Sequence, residues 1–269
     1  MIIGISGYAG SGKDTVGVII QYLKCKNVGG TTLEEAISNY KDHEWWLEDQ
    51  SKWEIKKWAG KLKSVAWMLT GIPVEKFEDQ EFKKTILGPE WDYWTINVIV
   101  NDKKRSEEGR FDTKEEAEKY SGDMQRSYGA FKMEYVVEKK SMSVRQFLQE
   151  LGTDACRNGL HPNVWVNALM ADYTPTQVVW TDGPVSGYED GPMPNWVITD
   201  TRFPNEAKAI KDAGGIVVRV ERSGVKATNA HPSETSLDNW EFDYVIHNNK
   251  SVNDLSKEVK VLLSSVNLL

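Results

Sequence analysis

Two rhythms of apolar residues run along this chain, short β-branched stretches and segments with an apolar position every three or four residues. Ile2 to Ile5 is a stretch of the first kind. A glycine-rich turn follows, and Val16, Ile19, Ile20 and Leu23 then recur at helical spacing, which predicts strand, loop and helix. After the turn at Gly29-Gly30, Leu33, Ala36, Ile37 and Tyr40 predict a second helix. Asp42 to Trp58 is charged and holds Trp45, Trp46, Trp53 and Trp58, which predicts partial exposure, with a short strand over Ile55–Ala59 ending at Gly60. Leu62, Val65, Ala66 and Leu69 mark an amphipathic helix that Gly71-Ile72-Pro73 stops.

Residues from about 85 to 141 read as an insertion. Within it Tyr93–Val100 and Lys132–Lys139 predict strands, and Asp112–Tyr120 predicts a helix with acidic residues in its first turn. The charge run Asn101–Arg110 reads as a solvated turn. Val144, Phe147, Leu148 and Leu151 form an apolar helix face, with Arg145, Gln149 and Gly152 on another face and an end at Gly152-Thr153-Asp154. Pro162–Tyr173 predicts a helix carrying Trp165, Val166 and Leu169; Tyr173–Pro194, rich in proline, predicts a loop. Asn195–Asp200 is a buried strand ending in an acid. A helix opening at Pro204 and stopping at Gly214-Gly215 follows, then strands Ile216–Val220 and Tyr244–His247. The last helix opens with the capping box Ser251-x-x-Asp254 and continues through Leu255, Val259, Leu262 and Val266. Strands alternating with helices predict an α/β fold of three layers, a parallel central sheet with helices on both faces and an α+β insertion.

Composition narrows the partners. The chain has 269 residues, 27% charged and 40% hydrophobic, as in ordinary globular proteins. Its formal net charge of −7 argues against tight binding to a nucleic-acid polymer, which needs a basic footprint, but not against a mononucleotide. The first strand begins beside Met1 and no apolar run approaches a membrane span, so the cytoplasm is the expected compartment, with Cys25 and Cys156 as free thiols. Most of the eleven tryptophans read as core, and Trp165 alone has a neighbourhood suggesting a ligand role.

The chemistry starts at Gly7-x-x-x-x-Gly12-Lys13, between a strand and a helix, which fits a phosphate-binding loop. Gly7, Gly10 and Gly12 let successive N–H groups turn towards one anion, the helix N-terminus helps hold it, and Lys13 adds a mobile charge for β- and γ-phosphates. Asp14 stands where Ser or Thr is usual, and Thr15 comes one later. Asp200, at the end of an apolar strand, has the arrangement of an acid that meets the metal of a metal–nucleotide complex. No Glu lies beside Asp200, which tilts the reading from hydrolysis towards transfer to an acceptor, and no Asn-Lys-x-Asp motif marks a guanine switch. Arg145, Gln149 and Arg202 stand where helix and strand ends could converge on phosphates. Arg105, Arg110 and Arg126 read as surface ion pairs.

Eight blocks in order carry a resemblance: Ser6 to Thr15, Ala59-Gly-x-x-Lys63, Ser143 to Asp154, Trp165-Val166, Asp200-Thr201-Arg202, Ala213 to Arg219, His231-x-x-Glu234 and Asn248-Asn249-x-Ser251. Together they resemble the bacteriophage-type deoxynucleoside monophosphate kinases, a branch of the P-loop nucleoside-phosphate kinases in which Asp14-Thr15 is the usual pair. The resemblance covers the chain apart from insertions near residues 26–55, 72–140 and 174–194. It implies one P-loop kinase domain over residues 1–269 that transfers phosphate from ATP, with Mg²⁺, to a deoxynucleoside monophosphate.

By motif, the resemblance puts Gly10, Ser11, Gly12, Lys13, Asp14 and Thr15 on the ATP phosphates, Thr15 or Asp14 on the metal side, and Asn248 near adenine. Lys63, Arg145, Gln149, Gly152, Thr153 and Trp165 look like the acceptor site, and Asp200 and Arg202 lie between the nucleotides. Lys13, Arg145, Asp200 and Arg202 are the candidate catalytic residues. His231 and Glu234 rank lower, since a helix cap explains them equally well. A homodimer is common in the family, and a phage-encoded member would work in the bacterial host's cytoplasm. Two other readings compete, a P-loop kinase for another acceptor such as dephospho-coenzyme A and an ATP-driven binding protein. The insertion can be read as a cover near the acceptor or as decoration.

Overall fold

The apolar N-terminal run is strand β1 (Ile2–Ser6), and all five of its residues are buried. The computed structural model describes residues 1–101, 103–128, 133–182, 185–226 and 235–269; His231, Ser233 and Glu234 therefore lie outside the described residues. The other described strands are β2 (Trp53–Lys56), β3 (Tyr93–Val100), β4 (Lys103–Phe111), β5 (Met133–Lys140), β6 (Gln177–Asp182), β7 (Val185–Asp190), β8 (Asn195–Ile198), β9 (Ile216–Glu221) and β10 (Tyr244–His247). Helices are α1 (Lys13–Lys24), α2 (Leu33–Ser38), α3 (Tyr40–Ser51), α4 (Trp58–Thr70), α5 (Lys114–Tyr128), α6 (Val144–Gln149), α7 (Val164–Met170), α8 (Pro204–Asp212) and a C-terminal helix (Val252–Ser265). The chain forms two compact units, one of residues 1–62 and 161–269, the other of residues 63–160.

In the first unit β1 is the middle strand of a five-stranded sheet ordered β10-β9-β1-β8-β2. Every pairing is parallel: Ile3 lies opposite Val197, Gly4 opposite Val217, Ile55 opposite Val197 and Ile246 opposite Val220. Parallel strands need crossover segments that cover both faces, so each strand must be apolar on both sides. One face sends Ile3, Ile5, Val197 and Val218 against Val16, Ile19 and Ile20 of α1 and Leu255, Val259 and Leu262 of the C-terminal helix. The other sends Ile2, Trp196, Ile198 and Val217 against Trp58, Val166, Leu169, Ala207 and Ile210. Gly4 lets α8 approach, since a Cβ there would stand 2.3 Å from Ile210 Cδ1.

After β1 the chain crosses to the edge strand β2, returns to β8 beside β1, then passes to β9 on β1's other side. The direction of winding reverses at β1. In open α/β sheets the crevice beyond the carboxyl ends at such a point is where ligands bind. The loop 7–12 leaves β1 at that end.

The second unit has a three-stranded antiparallel sheet ordered β4-β3-β5, with buried Ala117 of α5 and a hydrogen bond from Ser121 Oγ to the Tyr135 carbonyl. A separate apolar cluster holds Ala66, Phe77, Leu87, Tyr93, Met142, Val144 and Phe147.

Several elements differ from the sequence reading. The charge run 101–110 is mostly strand β4, turned back at Asn101 with φ 50° and paired to β3. It is a sheet edge, where Lys, Arg and Glu keep a strand from pairing further, so its polarity misleads. Inside the expected loop Gln177–Asp182 and Val185–Asp190 pair as the antiparallel strands β6 and β7, with Val179 opposite Tyr188. Pro175, Pro192 and Pro194 flank these strands and do not interrupt them. The second strand is Trp53–Lys56, and Gly60 lies inside α4. Trp53 and Trp58, each 2% exposed, are core residues, whereas Trp45 is 79% exposed. The helix begun at Val144 does not stop at Gly152 but widens into a π-helical stretch, Glu150–Asn158.

Candidate active site

The loop after β1 is built from glycines at positive φ: Gly10 at 81° and Gly12 at 99°. Both lie in the region that side chains avoid, so the turn requires glycine. Gly7 leaves no room either, because a Cβ there would meet the Val220 carbonyl at 2.5 Å and Ser11 Oγ at 2.6 Å. Helix α1 makes its first backbone bond from Val16 N–H to Gly12 O at 3.0 Å, so the N–H groups of Lys13, Asp14 and Thr15 come before the ladder starts. Lys13 is buried and its Nζ donates to the Tyr8 carbonyl at 3.2 Å; Ser11 N–H donates to the same carbonyl at 3.1 Å. Ser11 Oγ is buried without a partner among the described residues. A glycine cradle, a helix N-terminus, a lysine and an unsatisfied hydroxyl fit a polyphosphate.

Asp14 projects from the first turn of α1. Its Oδ1 accepts Thr199 Oγ1 at 2.7 Å and faces Lys57 Nζ at 3.3 Å. Desolvation alone would raise the Asp14 pKa, but Lys57 and the Thr199 hydroxyl outweigh it and hold the carboxyl below its ordinary range. Thr15, half-buried, is the next residue. With the chemistry of Asp14 and Thr15, the oxygen donors suit magnesium, which takes few protein ligands and relies on substrate phosphates.

Asp200 lies just beyond β8. Its two carboxylate oxygens accept the backbone N–H groups of Trp58 at 2.8 Å and Ala59 at 3.1 Å, so it caps the start of α4. Burial raises its pKa, and the two N–H groups, Arg202 and Lys57 offset part of that rise. Arg202 is half-buried. Its backbone N–H donates to Glu206 Oε2 at 2.8 Å, as does that of Phe203 at 3.1 Å, so a 1% exposed glutamate ties down the segment after β8. Asn248 packs on the glycine loop, donating from Nδ2 to the Ser11 carbonyl at 2.8 Å. Trp165, in α7, is 6% exposed.

A family model described as deoxynucleotide monophosphate kinase matches residues 92–259. The chain belongs to this family. Relatives of the same kind include the deoxynucleotide monophosphate kinases of Enterobacteria phage T4, 32% identical over 118 residues (44% of this chain, 44% of that protein), and of Escherichia phage RB69, 30% identical over 121 residues (45% of each). A deoxynucleoside-5'-monophosphate kinase of Escherichia phage T5 is 27% identical over 289 aligned positions, 96% of this chain and 94% of that protein. The matched stretch spans less than half the length of the T4 and RB69 proteins.

Among the acceptor candidates that the kinase resemblance names, Lys63, Arg145, Gln149, Gly152 and Thr153 belong to the second unit. Lys63 is 8% exposed and paired with Glu78. Arg145 is exposed and its Nη2 lies 3.4 Å from Gln80 Oε1. Gln149 and Thr153 are also exposed, whereas Gly152 is buried. Arg145, Gln149 and Thr153, four residues apart, are all exposed, whereas Gly152, expected on the face of Arg145 and Gln149, is buried within the π-helical stretch. Of the arginines read as surface ion pairs, Arg110 meets Glu150 at 2.6 Å and Arg126 meets Asp123.

Sequence reasoning passed over Lys57, Thr199 and Glu206. Thr199 adjoins Asp200 and Lys57 stands two residues before the Ala59 block, and that nearness could have flagged both. Glu206 carried a weaker signal, the N3 position of a helix opened by Pro204.

Proposed function

We propose that this protein transfers the γ-phosphoryl group of ATP to a deoxynucleoside monophosphate, giving ADP and the deoxynucleoside diphosphate. The observation that carries this is the glycine loop headed by Lys13 at the winding reversal of a parallel sheet, in a chain of the deoxynucleotide monophosphate kinase family. The fold is accordingly a P-loop kinase fold and the chain one kinase domain, with residues 85–141 as its insertion.

In this reading Gly10, Gly12, Asp14 and Thr15 hold the donor phosphates through backbone N–H groups, and Ser11, whose N–H is already given to the Tyr8 carbonyl, joins them through its hydroxyl, which gains its missing partner there. Lys13 leaves the Tyr8 carbonyl for the β- and γ-phosphates. Asn248, already on the loop, borders the donor base. Thr15 and Asp14 are the residues that would hold magnesium, which when bound neutralises charge on the β- and γ-oxygens. Lys57 and Thr199 keep Asp14 ionised and fixed. Arg145, with Lys63, Gln149, Gly152, Thr153 and Trp165, is assigned to the acceptor nucleotide, Arg145 to its monophosphate. Asp200 fixes the start of α4, and Arg202 supplies charge to the migrating group. An acceptor phosphate oxygen, largely ionised at neutral pH, attacks the γ-phosphorus in line, so the protein needs no covalent intermediate.

The test supplies ATP, Mg²⁺ and each deoxy- and ribonucleoside monophosphate in turn and follows ADP and the diphosphate product. ADP release that ignores the acceptor would overturn the assignment.

A further inference from the structure

We propose that Tyr8, Arg219 and Asp238 form a clamp that sets the resting place of Lys13, making all three positioning residues for the triphosphate. This rests on the function proposed above. The Gly-x-x-x-x-Gly-Lys pattern leaves the position of Tyr8 unspecified, yet the Tyr8 carbonyl is where the loop converges. It accepts both the Lys13 ammonium at 3.2 Å and the Ser11 N–H at 3.1 Å. Moving the Tyr8 peptide therefore moves the lysine.

The Tyr8 side chain is pinned from two sides. Its hydroxyl donates to Asp238 Oδ1 at 2.9 Å, and its ring lies 4.5 Å from the Arg219 guanidinium centre. Arg219 is 7% exposed and is partnered in every direction that matters: Nη2 to Asp238 at 3.3 Å, Nη1 to Ser6 Oγ at 3.4 Å, and the Phe242 ring at 5.5 Å. Arg219 stands on β9 directly opposite Ser6, the last residue of β1, so two paired strands deliver the clamp to the root of the loop. The close approach of Gly7 to the Val220 carbonyl removes slack on the same side. A buried guanidinium is costly unless its geometry is satisfied, and the partners that satisfy this one include the loop residue Tyr8 and its anchor Asp238. Outer residues of this kind orient the groups that touch a ligand.

The test uses the full chain and three variants, Tyr8→Phe, Arg219→Met and Arg219→Lys. Calorimetry gives ATP affinity, turnover gives KM for each substrate and kcat, and thermal melting gives stability. Tyr8→Phe removes only the hydroxyl bond to Asp238 and should weaken ATP roughly five- to tenfold, the scale of one hydrogen bond, with KM for the monophosphate changed less than about twofold. Arg219→Met should weaken ATP further, and Arg219→Lys should restore part of it. Lowered melting temperatures with ATP affinity and both KM values unchanged would make the cluster structural only and overturn the clamp. Should Arg219→Met not fold, Tyr8→Phe decides alone. A wild-type chain that binds ATP but phosphorylates no monophosphate refutes the proposed function, and the variants' ATP affinities still decide the clamp.

Discussion

At the scale of single residues, the proposed roles of Lys13 and Arg145 make different demands on charge and hydrogen bonding. Lys13 is buried at the head of α1 and rests on a backbone carbonyl, a weak partner that a triphosphate can outbid. Lys13→Ala should abolish turnover while binding of the deoxynucleoside monophosphate, followed by calorimetry without ATP, stays within about twofold. Arg145 is exposed, with one long hydrogen bond to Gln80, so its removal costs the fold little. Arg145→Ala should raise KM for the monophosphate by an amount equivalent to about 1.5–3 kcal/mol, the range for a hydrogen bond to a charged group. An unchanged KM would remove that face of α6 from the acceptor site. Asp14 shows how neighbours select a residue's state: desolvation pushes its pKa up, and Lys57, the Thr199 hydroxyl and, more weakly, Lys13 pull it below its ordinary value.

At the scale of elements, helix ends are where this chain concentrates its local chemistry. The C-terminal helix opens at Ser251, whose Oγ accepts Asp254 N–H at 3.2 Å, and Asp254 answers to Ser251 Oγ and to Lys257. Ser251→Ala should lower unfolding free energy by about 1 kcal/mol in urea titration, the usual cost of an N-cap. The Ser251 and Lys257 contacts hold the Asp254 carboxyl down to about 2, from 3.8. Because the folded value is the lower, its contribution is present above pH 3.8 and is lost as pH falls towards 2. Far-UV circular dichroism of the wild type against Asp254→Asn should converge over that window, and added salt should shrink the difference, since the group is exposed. Helix α4 is the contrasting case, started not by its own side chain but by Asp200 from the turn after β8. That is why its first turn is displaced from the sequence reading.

For the whole molecule, binding and folding are linked. ATP with Mg²⁺ at a hundred times its dissociation constant should stabilise the protein by about 2.7 kcal/mol against unfolding. Lys13→Ala should lose most of that shift, which differential scanning fluorimetry measures. No helix among the described residues is long and apolar enough to cross a membrane.

The parallel sheet, its two covering layers and the glycine loop were legible because each rests on local periodicity or on an exact residue requirement. Ile2 to Ser6 and Val16 to Leu23 carry clear periodicity, and the positive φ at Gly10 and Gly12 admits few residues other than glycine. These strands escaped because β4 is a charged edge and β6–β7 an exposed pair, so neither shows the half-buried alternation by which a strand is recognised. The π-helical widening at Glu150–Asn158 escaped because propensity does not distinguish it from α-helix. Sequence by itself determined the parallel sheet and the glycine loop with Lys13 at the head of α1, since periodicity and glycine spacing are local properties of the chain. Only tertiary structure decided who holds them: Asp14 by Lys57 and Thr199, α4 by Asp200, and Tyr8 by Arg219 and Asp238. Those contacts join residues far apart in the chain, and chain spacing carries no record of them.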